Sequence, residues 1–231
     1  MSVPAFYVTG TDTGIGKTVA STALLHALRA RGQTAVGMKP VASGCERSVD
    51  GWRNEDALAL QAASLPRPDY ADLNPYALPL PLAPELAAAD AGVCVELGPI
   101  AAAFARLRAQ AEVVVVEGVG GWAAPLSATL EQADLARALA LPVVLVVGLR
   151  LGCLNHARLS AAAIAADGLR CIGWIGNEID PAMERIDANM GMLQERLPMP
   201  CWGRLPYRPH PDPAALASSL HPWQGAQVAQ D

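Results

Sequence analysis

Lys17 and Lys39 are the only lysines among the 17 basic residues of this chain, and every other cation is an arginine. A composition that writes arginine wherever a generic positive charge is wanted leaves lysine for positions needing a compact ammonium on a flexible stem. Lys17 sits in T-G-T-D-T-G-I-G-K-T, residues 9–18, directly ahead of a stretch with alanine and leucine at helical spacing. That is the make-up of a phosphate-binding loop. Glycines let backbone N–H groups close on phosphate oxygens, Lys17 neutralises β/γ-phosphate charge, and Thr18 offers a hydroxyl to Mg2+. The common spacing G-x-x-x-x-G-K-S/T would put glycine at position 11, where Thr11 stands, so the loop is a variant.

A second signal is V-V-V-V-E-G-V-G-G-W, in which Glu117 closes a fully apolar run. A carboxylate there either turns to water or meets a cation, and Mg2+ at Thr18 is the nearest candidate. Gly118, Gly120 and Gly121 leave backbone free to approach a ligand. Lys39 ends another short run, in M-K-P-V-A-S-G. Strand-end lysines are ordinarily solvated, yet this strand follows the first one in sequence, which would aim Lys39 into the same crevice. Ser43 either binds substrate or shapes the loop. Asp56 lies in the first turn of a helix opened by Asn54-Glu55-Asp56, where the helix dipole alone favours an acid and a second Mg2+ ligand would also stand. Asn177 reads as a turn residue or a reader of a base edge. Gly152-Cys153-Leu154-Asn155 precedes a helix and would offer N–H groups to a second anion.

The elements that must position these groups follow from hydrophobic periodicity. Short valine-rich or apolar runs at 5–8, 34–38, 113–116, 143–147 and 171–175 read as strands. Helical spacing covers 19–28, a stretch from 54, then 100–110, 135–141, 157–166 and 183–197. The polar stretch 40–53 reads as a long loop, and the proline-dense stretch 66–84 as an irregular but packed excursion. Strands alternating with helices at this spacing predict one α/β domain over residues 1–231. Its sheet is doubly wound and mostly parallel, with helices on both faces and the ligand at the C-terminal strand ends.

Composition narrows the class. With 231 residues, 52% of them hydrophobic, the chain is long enough to bury roughly 70–75% of its unfolded surface. A net charge of −5 and few, scattered aromatics argue against a nucleic-acid or anionic-membrane surface. Neither a signal peptide nor a membrane span is expected. Five scattered cysteines without a C-x-x-C pair read as reduced thiols of a soluble cytoplasmic protein, and the four histidines have no metal-ligand spacing.

In order along the chain, G-T-D-T-x-x-G-K-T, K-P-V-A-S-G, R-N-x-D-A-L, V-E-G-x-G-G-W and V-V-G-L-x-L-G-C-x-N-H-A resemble the dethiobiotin synthetases, ATP-dependent enzymes of biotin biosynthesis. The likeness runs from Thr9 to at least Asn177. It implies a P-loop NTPase-like fold, a homodimer, and a ligase that joins 7,8-diaminononanoate, CO2 and MgATP. In that family CO2 adds to one amine to give a carbamate, the carbamate takes the γ-phosphoryl group, and the second amine closes the ring with loss of phosphate. The resemblance implies catalytic roles for Lys17 and Lys39, and a Mg2+ shell of Thr18, Asp56 and Glu117. It also implies ATP contacts from Gly14, Ile15, Gly16, Gly118, Val119 and Gly120, with Asn177, Glu178, Pro206 and Tyr207 about the adenine. Thr13 and Ser43 would touch the substrate, and Gly152, Cys153, Leu154 and Asn155 would receive its tail carboxylate across the dimer interface. Glu85, in A-P-E, stands where the family pattern reads S-P-H. The alternative is a partition-type P-loop switch ATPase acting on a protein partner. Its signature K-G-G-x-G-K-T has a lysine where this chain has Asp12.

Overall fold

The computed structural model describes residues 5–222. From β1 (Ala5–Gly10) the chain enters α1 (Lys17–Arg29), then β2 (Ala35–Met38), β3 (Val41–Ala42), β4 (Glu46–Ser48) and β5 (Gly51–Arg53). It continues through α2 (Glu55–Ala63), α3 (Tyr70–Leu73), β6 (Tyr76–Ala77), α4 (Pro84–Asp90) and α5 (Leu97–Gln110) to β7 (Val113–Glu117). A short pair, β8 (Pro125–Ser127) and β9 (Leu130–Glu131), leads into α6 (Gln132–Ala138), β10 (Val143–Leu149) and α7 (Cys153–Ala166). Then come β11 (Cys171–Glu178), α8 (Ile186–Arg196), β12 (Cys201–Leu205) and α9 (Pro213–Leu216).

Six strands form one parallel sheet in the order β12-β11-β10-β1-β7-β2. The winding goes from β1 toward one edge and later from β10 toward the other, so it reverses at β1, the kind of switch point beside which α/β sheets hold ligands. Side-chain alternation along the central strands splits the core in two. Phe6, Val8, Val113, Val115, Val144 and Val146 pack against Leu24, Leu25 and Leu28 of α1 and Leu60 of α2. Tyr7, Val114, Val116, Val143, Leu145 and Val147 pack against Ile100, Leu107, Leu135, Ile164 and Leu193 of α5 to α8. Four valines in a row are therefore what a strand buried on both faces needs.

Several local expectations need correcting. The stretch 40–53 is not all loop, because β4 and β5 pair antiparallel about Val49-Asp50, with Gly51 at φ 104° and Ser48 Oγ accepting from Asp50 N at 3.1 Å. That hairpin is exposed and carries no apolar alternation, so periodicity misses it. The excursion 66–84 contains α3 and β6, and at its end α4 starts on Pro84 in the first turn, where proline is tolerated. α6 begins at residue 132 rather than 135, set by a capping box between Glu131 and Asp134. β12 was not expected at all: five residues between prolines at the sheet edge give too short a signal. β11 runs through Asn177 and Glu178, which therefore end a strand instead of following one. Finally, β7 lies between β2 and β1 in the sheet, so Lys39 reaches the crevice from the strand next but one to β1.

Candidate active site

The loop from β1 to α1 is built for an anion. Gly14 and Gly16 take left-handed backbone (φ 72° and 79°), and Gly16 caps α1 with no side chain bonded to its first-turn N–H groups. Gly16 also has no room for a side chain, because a Cβ would lie 2.1 Å from Asn177 Nδ2. Ile15 points the other way, into the core. Lys17 Nζ folds back to donate to the Asp12 carbonyl at 3.0 Å. Burial, and then the charge of Lys39, pull the Lys17 ammonium down to about 8. A phosphate beside it would push the other way, since an opposite charge favours the charged form.

Four elements bring the second half of the site together. Lys39 follows β2, Glu117 ends β7, Asp56 lies in the first turn of α2, and Thr18 in that of α1. Lys39 Nζ donates to Glu117 Oε1 at 2.6 Å, to Asp56 Oδ2 at 3.0 Å and to the Gly118 carbonyl at 3.2 Å, so all three of its protons are placed. The Thr18 hydroxyl donates to the same Glu117 Oε1 at 2.8 Å. Lys39 is 3% exposed and Glu117 0%. Burial alone would pull the Lys39 ammonium down, but the Glu117 and Asp56 carboxylates hold it above its ordinary range. Burial likewise pushes Asp56 up, and Lys39 with the Thr18 hydroxyl outweighs it and holds the carboxyl low. The cation that meets the strand-end Glu117 in this structure is thus Lys39.

One oxygen of Glu117, Oε2, is buried without a hydrogen-bond partner. A carboxylate oxygen with spare acceptor capacity, a threonine hydroxyl and a second carboxylate on Asp56 make an all-oxygen donor set. That set fits Mg2+, a hard cation that takes one or two carboxylates from protein and its remaining ligands elsewhere.

A cavity of about 380 Å3 opens over this cluster. Of the expected site residues, Thr13, Gly14, Gly16, Lys17, Thr18, Lys39, Ser43, Asp56, Val119 and Gly120 line it. Glu117 and Gly118 lie just beneath, bonded to Lys39. Asn177 is also beneath the loop, donating its amide to the Ile15 carbonyl at 2.8 Å. Glu178 is held by Arg204 and accepts from the Tyr207 backbone at 3.1 Å, which docks the segment containing Pro206 and Tyr207 against the end of β11. Gly152, Cys153, Leu154 and Asn155 do not line this cavity. They begin α7 next to a fully turned-out Leu151, 95% exposed.

The residues that support Lys39 and Asp56 are not singled out as such by the sequence, although Asn54 reads there as part of a helix opening. Asn54 caps α2 by accepting from Ala57 N at 3.2 Å, which fixes the turn bearing Asp56. Asn74 donates to the Lys39 carbonyl at 2.7 Å, and Tyr70 links Asn74 to the Asn54 backbone. The excursion 66–84 is therefore a buttress for Lys39 and Asp56. Gln132, at the start of α6, is completely buried against residues 119–121. The motif R-N-x-D-A-L contains Asn54 and could have signalled the cap, whereas nothing in sequence singles out Asn74 or Gln132.

A family profile described as an AAA domain matches residues 4–215. The chain is 79% identical over 220 residues to the ATP-dependent dethiobiotin synthetase BioD of Xanthomonas oryzae pv. oryzae (strain PXO99A), covering 95% of this chain and 98% of that protein. It is 70% identical over 223 residues to BioD of Xylella fastidiosa (strain 9a5c), covering 96% and 99%. Among solved structures, the MinD cell division protein of Aquifex aeolicus superposes with a TM-score of 0.53 at 13% identity, over 90% of this chain and 83% of that one. The signal recognition particle receptor FtsY of Elizabethkingia anophelis gives 0.51 at 15%, over 97% and 66%. At such low identities these two show a shared fold and nothing more.

Proposed function

This chain belongs to the ATP-dependent dethiobiotin synthetases, ligases of biotin biosynthesis, and from that premise we propose how its own residues divide the work. The family's substrates are 7,8-diaminononanoate, CO2 and ATP. On this reading the N–H groups of residues 14–18 and the Lys17 ammonium take the β- and γ-phosphates, Lys17 leaving the Asp12 carbonyl to do so. Mg2+, held by Thr18, Asp56 and Glu117, would supply charge neutralisation on the phosphates. Lys39 lines the cavity together with the phosphate loop and Ser43. There it meets the charge that develops as a carbamate oxygen attacks the γ-phosphorus and the bond to ADP breaks. When the second amine attacks the carbamate carbon, the leaving phosphate departs beside the same two ammonium groups. Nothing in this sequence of steps needs a nucleophilic side chain, so positioning and fixed charge carry the catalysis.

The observation that carries the reading is the Lys39 triad of acceptors at 2.6–3.2 Å, buried at the rim of the phosphate loop. The partition-type switch ATPase is not favoured. The test is incubation with MgATP, bicarbonate and 7,8-diaminononanoate, followed by mass spectrometry. A cyclic urea that forms only when all three are present is the expected result, and ATP hydrolysis indifferent to the diamine overturns the reading.

A homodimer is part of the same proposal. Its support is that residues 152–155 lie outside the cavity while Leu151 and Leu159 beside them are 95% and 62% exposed, so a second copy could bring this segment to its neighbour's substrate. Light scattering at twice the chain mass is expected. Asn177, Glu178, Pro206 and Tyr207 are proposed to face the adenine from the far side of the loop. We place the enzyme in the cytoplasm and read residues 1–231 as one domain. The free cysteines and the single six-stranded sheet support these two statements, and among the described residues no helix is long and apolar enough to cross a membrane.

A further inference from the structure

We propose that Gln132 is a positioning residue for catalysis, fixing the 118–121 backbone whose Gly118 carbonyl accepts from Lys39. The side chain is completely buried, and its amide is used to capacity. Its Oε1 accepts from the Tyr7 hydroxyl at 2.6 Å and from Val119 N at 3.1 Å, while its Nε2 donates to the carbonyls of Val119 and Gly121. A glutamine amide has no further strong bond to make. Val119 N is an obligate donor, so the amide can sit in only one of its two orientations without setting donor against donor. One side chain thus pins both polar groups of Val119 and the carbonyl of Gly121, in a stretch with three glycines and little stiffness of its own.

Consequences for the site follow from what that stretch does. The Gly118 carbonyl is one of the three acceptors of Lys39, and Val119 and Gly120 line the cavity beside the phosphate loop, Gly120 near Thr13 and Gly121 against residues 10–12. Gly118 can lie this close only because it lacks a Cβ, which would fall 2.1 Å from Gln132 Oε1 and 2.7 Å from the Tyr7 hydroxyl. Gln132 therefore acts on one wall of the cavity and on Lys39, while Asn177 holds the Ile15 end of the phosphate loop. The effect should fall on turnover much more than on nucleotide affinity, because Lys17, Thr18 and the N–H groups of residues 14–18 keep their own supports. Misplacing reacting groups by about 1 Å can cost on the order of a hundredfold in rate.

The inference rests on the reading of Lys39 given above, and the test separates the two. Gln132→Met keeps the length of the side chain and removes all four bonds; Tyr7→Phe removes one; Lys39→Met reports on the site itself. Expected for Gln132→Met is a fall in kcat of at least about tenfold with the Kd for ATP within about threefold. Tyr7→Phe should move kcat in the same direction by less. If Gln132→Met does not fold, Gln132→Asn, too short to reach residues 119 and 121, is read by the same criteria. A folded Gln132 variant with kcat within twofold of the parent overturns the inference, as does a loss of nucleotide affinity in step with kcat. If Lys39→Met is inactive in those cases, the site reading stands; if it too is active, the site reading fails.

Discussion

Two helices leave the same end of the sheet with the same backbone device. α1 is entered through Gly16 at φ 79° and α7 through Gly152 at φ 96°, both left-handed and neither capped by a side chain. Each presents the positive end of a helix dipole, but at α7 the first N–H, of Cys153, already donates to the Arg150 carbonyl at 3.0 Å. Around the first, Lys17 and Lys39 are nearly buried, and the Glu117 and Asp56 carboxylates balance their charge. Around the second, Leu151 projects into solvent and Asn155 is exposed. A helix start is worth at most about 2 kcal/mol to an anion. The helix start supplies a preference, and buried counter-charges turn it into a place where charge can be made and moved.

Breaking the first region should cost most. Lys39→Met removes the ammonium shared by both carboxylates, and turnover should fall by about a thousandfold, read as dethiobiotin formed per enzyme. Glu117→Gln keeps the shape of the strand end but not its charge. The Mg2+ concentration giving half-maximal ATP binding should rise at least about tenfold in a titration. Gly16→Ala puts a methyl on Asn177 at a left-handed position. That is strain of about 1–3 kcal/mol, seen as a lower Tm and roughly tenfold weaker ATP binding by calorimetry.

The second region should respond differently. Leu151→Glu should leave ATP affinity unchanged, halve the mass in light scattering, and raise KM for the diamine by about fivefold. The smallest effect is expected from the link between the regions. Arg150 and Asp12 pair at 2.6 Å, joining the phosphate loop to the turn before α7, but both side chains are two-fifths or more exposed. Asp12→Asn should cost less than about 1 kcal/mol of stability by denaturant titration, because solvent screens such a pair.

Much of this was legible in the residues themselves. Valine runs gave the buried strands, and the phosphate loop was readable despite Thr11. Lys39 was expected in the crevice and lines it, although β7 intervenes between its strand and β1. What brings it into the site is the parallel register Met38–Val116, one step before the Glu117 that it meets. β12, the 46–53 hairpin and α3 were hidden because they are short and gain their stability from neighbours, so their own periodicity is weak. Gln132 was hidden for a different reason. A buried amide earning its place through backbone bonds, and through Tyr7 125 positions away, looks in sequence like any polar residue at a helix start.

The central claim is that Lys39 works as a placed ammonium rather than as generic positive charge. Lys39→Arg tests it most directly, with dethiobiotin formation and ATP binding measured on the same preparation. The guanidinium keeps the charge but cannot satisfy Glu117 Oε1, Asp56 Oδ2 and the Gly118 carbonyl from one point. Turnover should fall steeply while ATP still binds. Near-parental turnover with arginine at position 39 would contradict the account and make Lys39 a bystander.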